Sequence, residues 1–343
     1  MKNRIFAMAA LAAVLFASCN KETEMINPAP EARPDGATVT ITLSSGDDAQ
    51  TRAFFDATAT AEAWEKSLSS LSVFTFNASG DLILRRDFTV SELASKSATF
   101  SLPKSAAGTE CSFYAVANYD ASSAKTKSAL TALVEKSAGD YNGTFADVST
   151  KALRSGGFVM SGSTTKTVGA VNTSTQVGIS LKRTVAKVAL QTTIAPEFSE
   201  KYPGSITINS VKLSRAASQS LVVAGEPSTG AMTYTHTQTP GTASSKYNSL
   251  FYLYETGTLD AGSRVLLEIN ATYDSDGSSS TSDDRSDVTY SVELTGKAAG
   301  QILRNGYYRV AANITGLVGQ DCQVSVTVAD WETPVTQSVD LGA

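Results

Sequence analysis

One histidine, three cysteines and two tryptophans are spread over 343 residues, and each scarcity removes a class of chemistry. His236 has no second imidazole with which to share a metal and no serine elbow to activate. H-E-x-x-H, G-x-S-x-G, a Walker loop and a dinucleotide fingerprint are all missing. The S-x-x-K tetrads at 101–104 and 122–125 lack their S-D-N and K-T-G companions. The chain is therefore expected to be no enzyme and to need no cofactor. Cys19, Cys111 and Cys322 show no metal-ligand spacing, and the last two fall on opposite sides of the domain boundary placed below, so no bridge between them is expected. Nor is positive charge in excess: 28 basic side chains against 33 acidic ones give a net charge of -5, which argues against a nucleic-acid partner.

What is present begins at the N-terminus. Lys2 and Arg4 precede an apolar run, residues 5–16, too short to span a bilayer as a stable helix. Leu15-Phe16-Ala17-Ser18-Cys19 then reads as a lipobox, with Phe16 where leucine is usual. Residues 1–18 are thus expected to be a lipoprotein signal peptide, and Cys19 an acylated (palmitate-bearing) N-terminus whose several acyl chains hold the precursor on a membrane. Residues 20–36, with Pro28, Pro30 and Pro34, read as a flexible tether.

Residues 37–44 form the stretch around which the rest is organised. Val39, Ile41 and Leu43 alternate with threonines and a serine, the pattern of a half-buried strand. A polar, acidic run follows and delivers a lone Arg52 before Ala53, Phe54 and Phe55, and such a loop is easily cut. The strand is read as provisional: it fills a groove in the precursor, is severed after Arg52, and leaves the groove for a partner.

The length predicts two domains. In the first, the helical spacing of Trp64, Leu68 and Leu71 gives way to a strand at 71–76, a turn at 77–80 and a return strand at 81–90. Further strands are expected at 98–102, 111–118 and 177–181, with a helix at 125–136 ending before Gly139. The second domain reads as nearly pure strand, at 205–213, 220–224, 250–255, 265–273, 288–294, 307–314 and 324–331, a density that points to a β-sandwich. Residues 179–190 read as one long strand crossing a boundary near Arg183.

Several of these stretches together resemble the fimbrillin family of Bacteroidales, the protease-matured type V pilins and their accessory subunits. The residues carrying the likeness are the lipobox, T-R-A-F at 51–54, W-E-K-S-L-S-S-L-S-V-F-T-F at 64–76 with Gly80, F-Y-A-V-A-N at 113–118, L-K-R-T-V-A-K-V at 181–188, F-Y-L-Y-E at 251–255, L-R-N-G-Y-Y-R-V at 303–310 and V-T-V-A-D-W at 326–331. The resemblance runs from the lipobox to the C-terminus. It implies a mainly β protein of two transthyretin-like β-sandwich domains in tandem, export to the outer membrane, removal of the leader by an arginine-specific protease, and polymerisation with other pilin subunits through a C-terminal strand given to a neighbour. The division is then a lipidated leader at 19–52, an N-terminal sandwich with one or two short helices at 53–183, and a C-terminal sandwich at 184–343.

The tail itself supports a donor role. Beyond Pro334, Val335, Val339 and Leu341 share one face of residues 335–341 at the two-residue repeat used by Val39, Ile41 and Leu43. Phe113, Tyr114, Tyr252, Tyr254, Tyr307, Tyr308 and Trp331 are expected in the core, since they lie in alternating strands, while Arg304 and Asn305 shape a turn. The aspartates at 274, 276, 283, 284 and 287 lack the closing glutamate of an EF-hand and read as a solvated hairpin loop, with no metal. Two other readings stand beside the pilus subunit: a surface glycan-binding outer-membrane lipoprotein with Ig-like domains, and a hydrolase. A scissile Arg52 after a removable strand separates the pilus subunit from the first of these, since a glycan-binding lipoprotein has no use for it.

Overall fold

In the computed structural model, residues 36–45, 61–150, 156–227, 229–278, 280–296 and 299–317 are described, with the backbone of 323–330. The first half contains β1 (Ala37–Ser45), β2 (Leu71–Phe76), β3 (Leu82–Asp87), β4 (Ser97–Leu102), β5 (Glu110–Ala117), β6 (Val134–Glu135), β7 (Met160–Thr167) and β8 (Ser174–Arg183). The second contains β9 (Val185–Ile194), β10 (Ser205–Ala216), β11 (Ser220–Leu221), β12 (Tyr234–Gln238), β13 (Gly241–Ala243), β14 (Lys246–Tyr254), β15 (Leu266–Asp274), β16 (Arg285–Glu293), β17 (Gly306–Ile314) and β18 (Gln323–Asp330). Short helices α1 (Val90–Ser95), α2 (Lys127–Thr131), α3 (Phe145–Thr150) and α4 (Pro196–Lys201) punctuate them. The chain is mainly β, as its alternating patterns require.

The first seven long strands run in the order β3-β2-β5-β7-β8-β1-β4. The sheet turns a corner at β7 and β8, which pair only through Met160↔Arg183 and Ser161↔Lys182. Gly162 makes this approach possible, because a Cβ there would lie 2.1 Å from the Ser180 carbonyl oxygen. The two limbs then face each other across one core that includes Val73, Phe113 and Met160 from one side and Val39, Ile41, Phe100 and Ile179 from the other. In the second half, β12-β10-β15-β16 packs on β13-β14-β9-β17-β18, with Val188, Phe251 and Val310 against Val211, Ile269 and Val292.

Several sequence expectations need correction. The strand read through 179–190 is two strands, broken at Thr184, whose N–H donates to the Val159 carbonyl at 3.0 Å. The helix expected over 125–136 shrinks to α2, because Val134 and Glu135 are taken as β6 by β11 of the other half. Gly139 lies within a 3-10 turn, Ala138–Tyr141. Only Trp64–Lys66 of the first helical spacing is helical, again as a 3-10 turn. The return strand expected to reach Val90 stops at Asp87, since Thr89 and Glu92 form a reciprocal cap that starts α1. Of 220–224, Ser220 and Leu221 alone are strand. His236 sits on β12. Phe113, Tyr252, Tyr254, Tyr307 and Tyr308 are all 0% exposed, as expected, and Asn305 turns the chain into β17 with φ 57°.

Candidate functional site

Although first in sequence, β1 lies inside its sheet, antiparallel to β4 on one side and parallel to β8 on the other. Its alternation decides which face goes inward: Ala37, Val39 and Ile41 are 0% exposed and Leu43 4%, while Thr42 and Ser44 face out. Val39 stands opposite Phe100 and Thr175, and Ile41 opposite Ala98 and Val177, so three strands share one apolar layer.

Polar contacts fix the register. The Thr38 N–H donates to the Thr173 carbonyl at 3.0 Å, and the Leu43 N–H donates to that of Lys96 at 2.9 Å. Lys96 caps α1 in the left-handed conformation, φ 53°, so the turn that ends the helix also presents its carbonyl to β1. The Ser97 hydroxyl donates to the Ile41 carbonyl at 3.0 Å, and the Thr40 and Thr99 hydroxyls pair at 3.0 Å.

Topology gives β1 its special position. Strand β4 ends the sheet and, among the described residues, pairs with β1 and no other strand. Without β1, the backbone rows of β4 and β8 would face each other across two strand spacings, about 9–10 Å, too far to pair. Each buried N–H or C=O left unpaired costs about 1–3 kcal/mol.

A contrasting edge is closed by side chains. Strand β14 is covered by β13 over Lys246–Asn248, and beyond that two amides replace a neighbouring strand. Gln238 Oε1 accepts from the Leu250 N–H at 2.9 Å while its Nε2 donates to the Leu250 carbonyl at 3.1 Å. Asn142 does the same at Tyr252.

Further contacts clasp the two halves. From the first half, the 3-10 turn at Trp64–Lys66 places Glu65, 0% exposed, against the second. Glu65 Oε1 lies 2.8 Å from Lys187 Nζ and accepts from the Tyr252 hydroxyl at 2.6 Å, and the Trp64 ring meets Tyr252 edge-on. Burial, with the Glu65 carboxylate beside it, pushes the Tyr252 hydroxyl well above the ordinary tyrosine range. Arg183 Nε donates to the Glu65 carbonyl at 2.8 Å and its Nη1 to Asn305 Oδ1 at 2.7 Å. From the second half, Val222 and Val223 are buried among Phe74, Phe76 and Val116 of the first. Arg304 pairs with Glu255 beneath this arm, Nε lying 3.0 Å from both carboxylate oxygens.

The sequence picked out Val39, Ile41 and Leu43, and the structure places all three on the buried face of β1, between β4 and β8. Cys19, Arg52, Ala53, Val335, Val339, Leu341, Cys322 and Trp331 lie outside the residues described at side-chain level. Cys111 is a buried thiol whose pKa is raised, chiefly by that burial. His236 is half-buried, with Nε2 3.1 Å from the Gly143 carbonyl oxygen and its ring edge-on to Phe251. Sequence reasoning missed β4's dependence on β1 and the Asn142 and Gln238 amides. The T-x-x-E at Thr89–Glu92 was a legible signal for the helix that opens β4; the amides carried none.

Residues 37–207 match the family model described as major fimbrial subunit protein (FimA). No curated protein sequence matches the chain. Among solved structures, a proposed cell adhesion protein from Bacteroides eggerthii aligns with TM-score 0.58 at 20% identity, covering 89% of this chain and 98% of that one. A C-terminally truncated tip fimbrial protein, Mfa3 from Porphyromonas gingivalis, aligns with TM-score 0.54 at 13% identity, covering 86% and 100%. A fimbrial assembly protein from Parabacteroides distasonis gives 0.51 at 16%, covering 90% and 99%. These three share the fold, and with a FimA-type match that begins at the first residue of β1, the chain belongs to the FimA-like family of fimbrial subunits.

Proposed function

We propose that this fimbrial subunit is exported as an outer-membrane lipoprotein on Cys19, is cut between Arg52 and Ala53 by an arginine-specific protease, and polymerises by strand replacement in the β1 groove. Membership of the family makes it a structural component of a cell-surface fimbria that assembles with other pilin subunits, and a non-enzymatic role agrees with that. The single observation carrying the finer reading is that β4 has β1 as its strand partner while β8 needs the same strand on its other side.

The free-energy balance favours exchange over simple loss. Burying three aliphatic side chains is worth roughly 5 to 9 kcal/mol at about 1.5 to 3 each. Ordering some seven residues costs about 1 to 2 kcal/mol per residue, so apolar contact nearly cancels. Backbone pairing to β4 and β8 supplies the difference. Aligning Val339 with Ile41 and Leu341 with Leu43 puts Val335 at the place of Ala37 and Gln337 at that of Val39, so the tail 335–341 supplies aliphatic side chains at three of the four buried positions. Processing would leave sandwich domains at 53–183 and 184–343, the second ending in the donor strand.

N-terminal sequencing of the surface form tests the processing step, with Ala53 expected. A surface protein that starts at acylated Cys19 and runs as a monomer on unboiled gels would instead fit a glycan-binding lipoprotein. Deleting residues 335–343, or replacing Val339 and Leu341 with aspartate, should abolish ladders of the Ala53-initiated protein and leave the monomer folded. Misfolded truncated protein would mean that the tail completes its own domain.

A further inference from the structure

We propose that the turn joining β15 to β16 binds a calcium ion through Asp274, Asp276 and Asp284. One carboxylate oxygen from each of the three lies within 4.8 Å of the others. That spacing matches ligands converging on one ion, since calcium gathers six to eight oxygens at about 2.3–2.6 Å.

A second observation points to a missing partner. Asp274, which closes β15, is only 8% exposed. Its Oδ2 accepts from Arg285 Nε at 3.0 Å, whereas its Oδ1 is shielded from water and has no hydrogen-bond partner. Asp284 repeats the arrangement: Oδ2 accepts from the Ser275 hydroxyl at 2.6 Å and the Asp276 N–H at 2.8 Å, and Oδ1 is shielded and unpartnered. Asp276 Oδ1 accepts from the Ser278 N–H at 2.7 Å and its Oδ2 from the Thr281 hydroxyl at 3.4 Å. A desolvated anionic oxygen without a donor is costly. Arg285 offsets one of the three negative charges; a divalent cation matches the remaining two.

Ligand chemistry narrows the ion. All three side chains offer oxygen only, the preference of a hard cation rather than of zinc or copper. Magnesium requires a near-ideal octahedron and gives up its waters reluctantly, whereas calcium accepts irregular carboxylate sets on turns. The EF-hand glutamate is absent because this site is built differently, from a strand end and a hairpin turn rather than from one continuous loop. Extracellular modules bind calcium at about 10⁻⁴–10⁻³ M, the range in which a surface subunit would be loaded.

The test uses the full chain stripped with a chelator, titrated with calcium chloride by calorimetry. It also follows terbium luminescence, sensitised by Tyr273 beside Asp274. Dissociation constants of about 10⁻⁴–10⁻³ M are expected, and 10 mM calcium should then favour the folded state by about 10- to 100-fold. Exposed Asp276→Asn should keep its circular dichroism spectrum yet bind at least about tenfold more weakly, and Asp284→Asn should do the same. Three results would each overturn the proposal: no terbium emission together with no calcium-dependent thermal shift; an equal shift from magnesium or from sodium chloride at matched ionic strength; or parental affinity in Asp276→Asn.

Discussion

The side-chain amide of Asn142 holds Tyr252 by both backbone groups, Nδ2 donating to its carbonyl at 2.7 Å while its N–H donates to Oδ1 at 2.8 Å. One residue from the first half thereby satisfies a strand edge belonging to the second. Asn142→Leu conserves volume and leaves both groups buried and unpaired, so a loss of about 2–6 kcal/mol is expected in urea unfolding, at about 1–3 per orphaned group. A loss below about 0.5 kcal/mol for the leucine variant would show that the edge is satisfied in another way.

Glu65 and Lys187 should behave as a buried pair. Their side chains are 0% and 7% exposed, so Glu65→Leu or Lys187→Met alone strands a charge and should cost about 3–5 kcal/mol. The double variant should recover part of that loss, the Tyr252 hydroxyl still lacking its Glu65 acceptor, as measured by a double-mutant cycle. Simple additivity of the two losses would contradict the coupling.

Alkaline pH provides a third test. Burial pushes Tyr234 up to about 12, and Tyr252 rises well above the ordinary range through burial and the neighbouring Glu65 carboxylate. An unfolded tyrosine ionises near 10. Below that pH both states hold their protons and the contribution is fully present. Above it the unfolded chain gives them up first, so stability should fall as pH rises from about 10 towards 12. Tyr252→Phe should flatten that fall in pH-dependent urea midpoints. An unchanged slope would mean that Tyr252 titrates freely.

Hydrogen exchange can report the groove directly. In the precursor the amides of Ser97–Leu102 that point towards β1, every second one along the edge strand, should be protected by it. After cleavage and loss of β1 they should exchange at least about a hundredfold faster, and polymerisation should protect them again. The amides of β5, paired on both sides by β2 and β7, are the internal control. Equal protection of β4 in all three states would rule out departure of β1.

How much of this was legible depended on whether a strand's environment was local. Strand β8 alternates buried and exposed residues along its whole length, and β1 nearly does, so both could be read from residue types. Strand β7, M-S-G-S-T-T-K-T, could not: only Met160 and Ser161 are buried, and its pairing with β5 is backbone-driven. Helix α2 was overestimated because Val134 and Glu135 fit a helical stripe as well as they fit β6, and the arbiter is Leu221, far along the chain. Asn142 and Gln238 looked like ordinary polar loop residues, since nothing near them in sequence marks the strand edge they serve. The turn at residues 77–80, in contrast, was fully local: Gly80 takes φ 86° and Asn77 Oδ1 accepts the Asp81 N–H at 2.9 Å.

The clasp formed by Val222 and Val223 on one side and Trp64 and Glu65 on the other bears on mechanics. Because each half inserts side chains into the other, tension applied across the subunit is resisted at more than one place. A fibre of such subunits would behave as a chain of stiff links whose compliance lies in the joints. There, a replacement strand lying along β4 and β8 would be loaded in shear, with its backbone bonds resisting together rather than parting one after another.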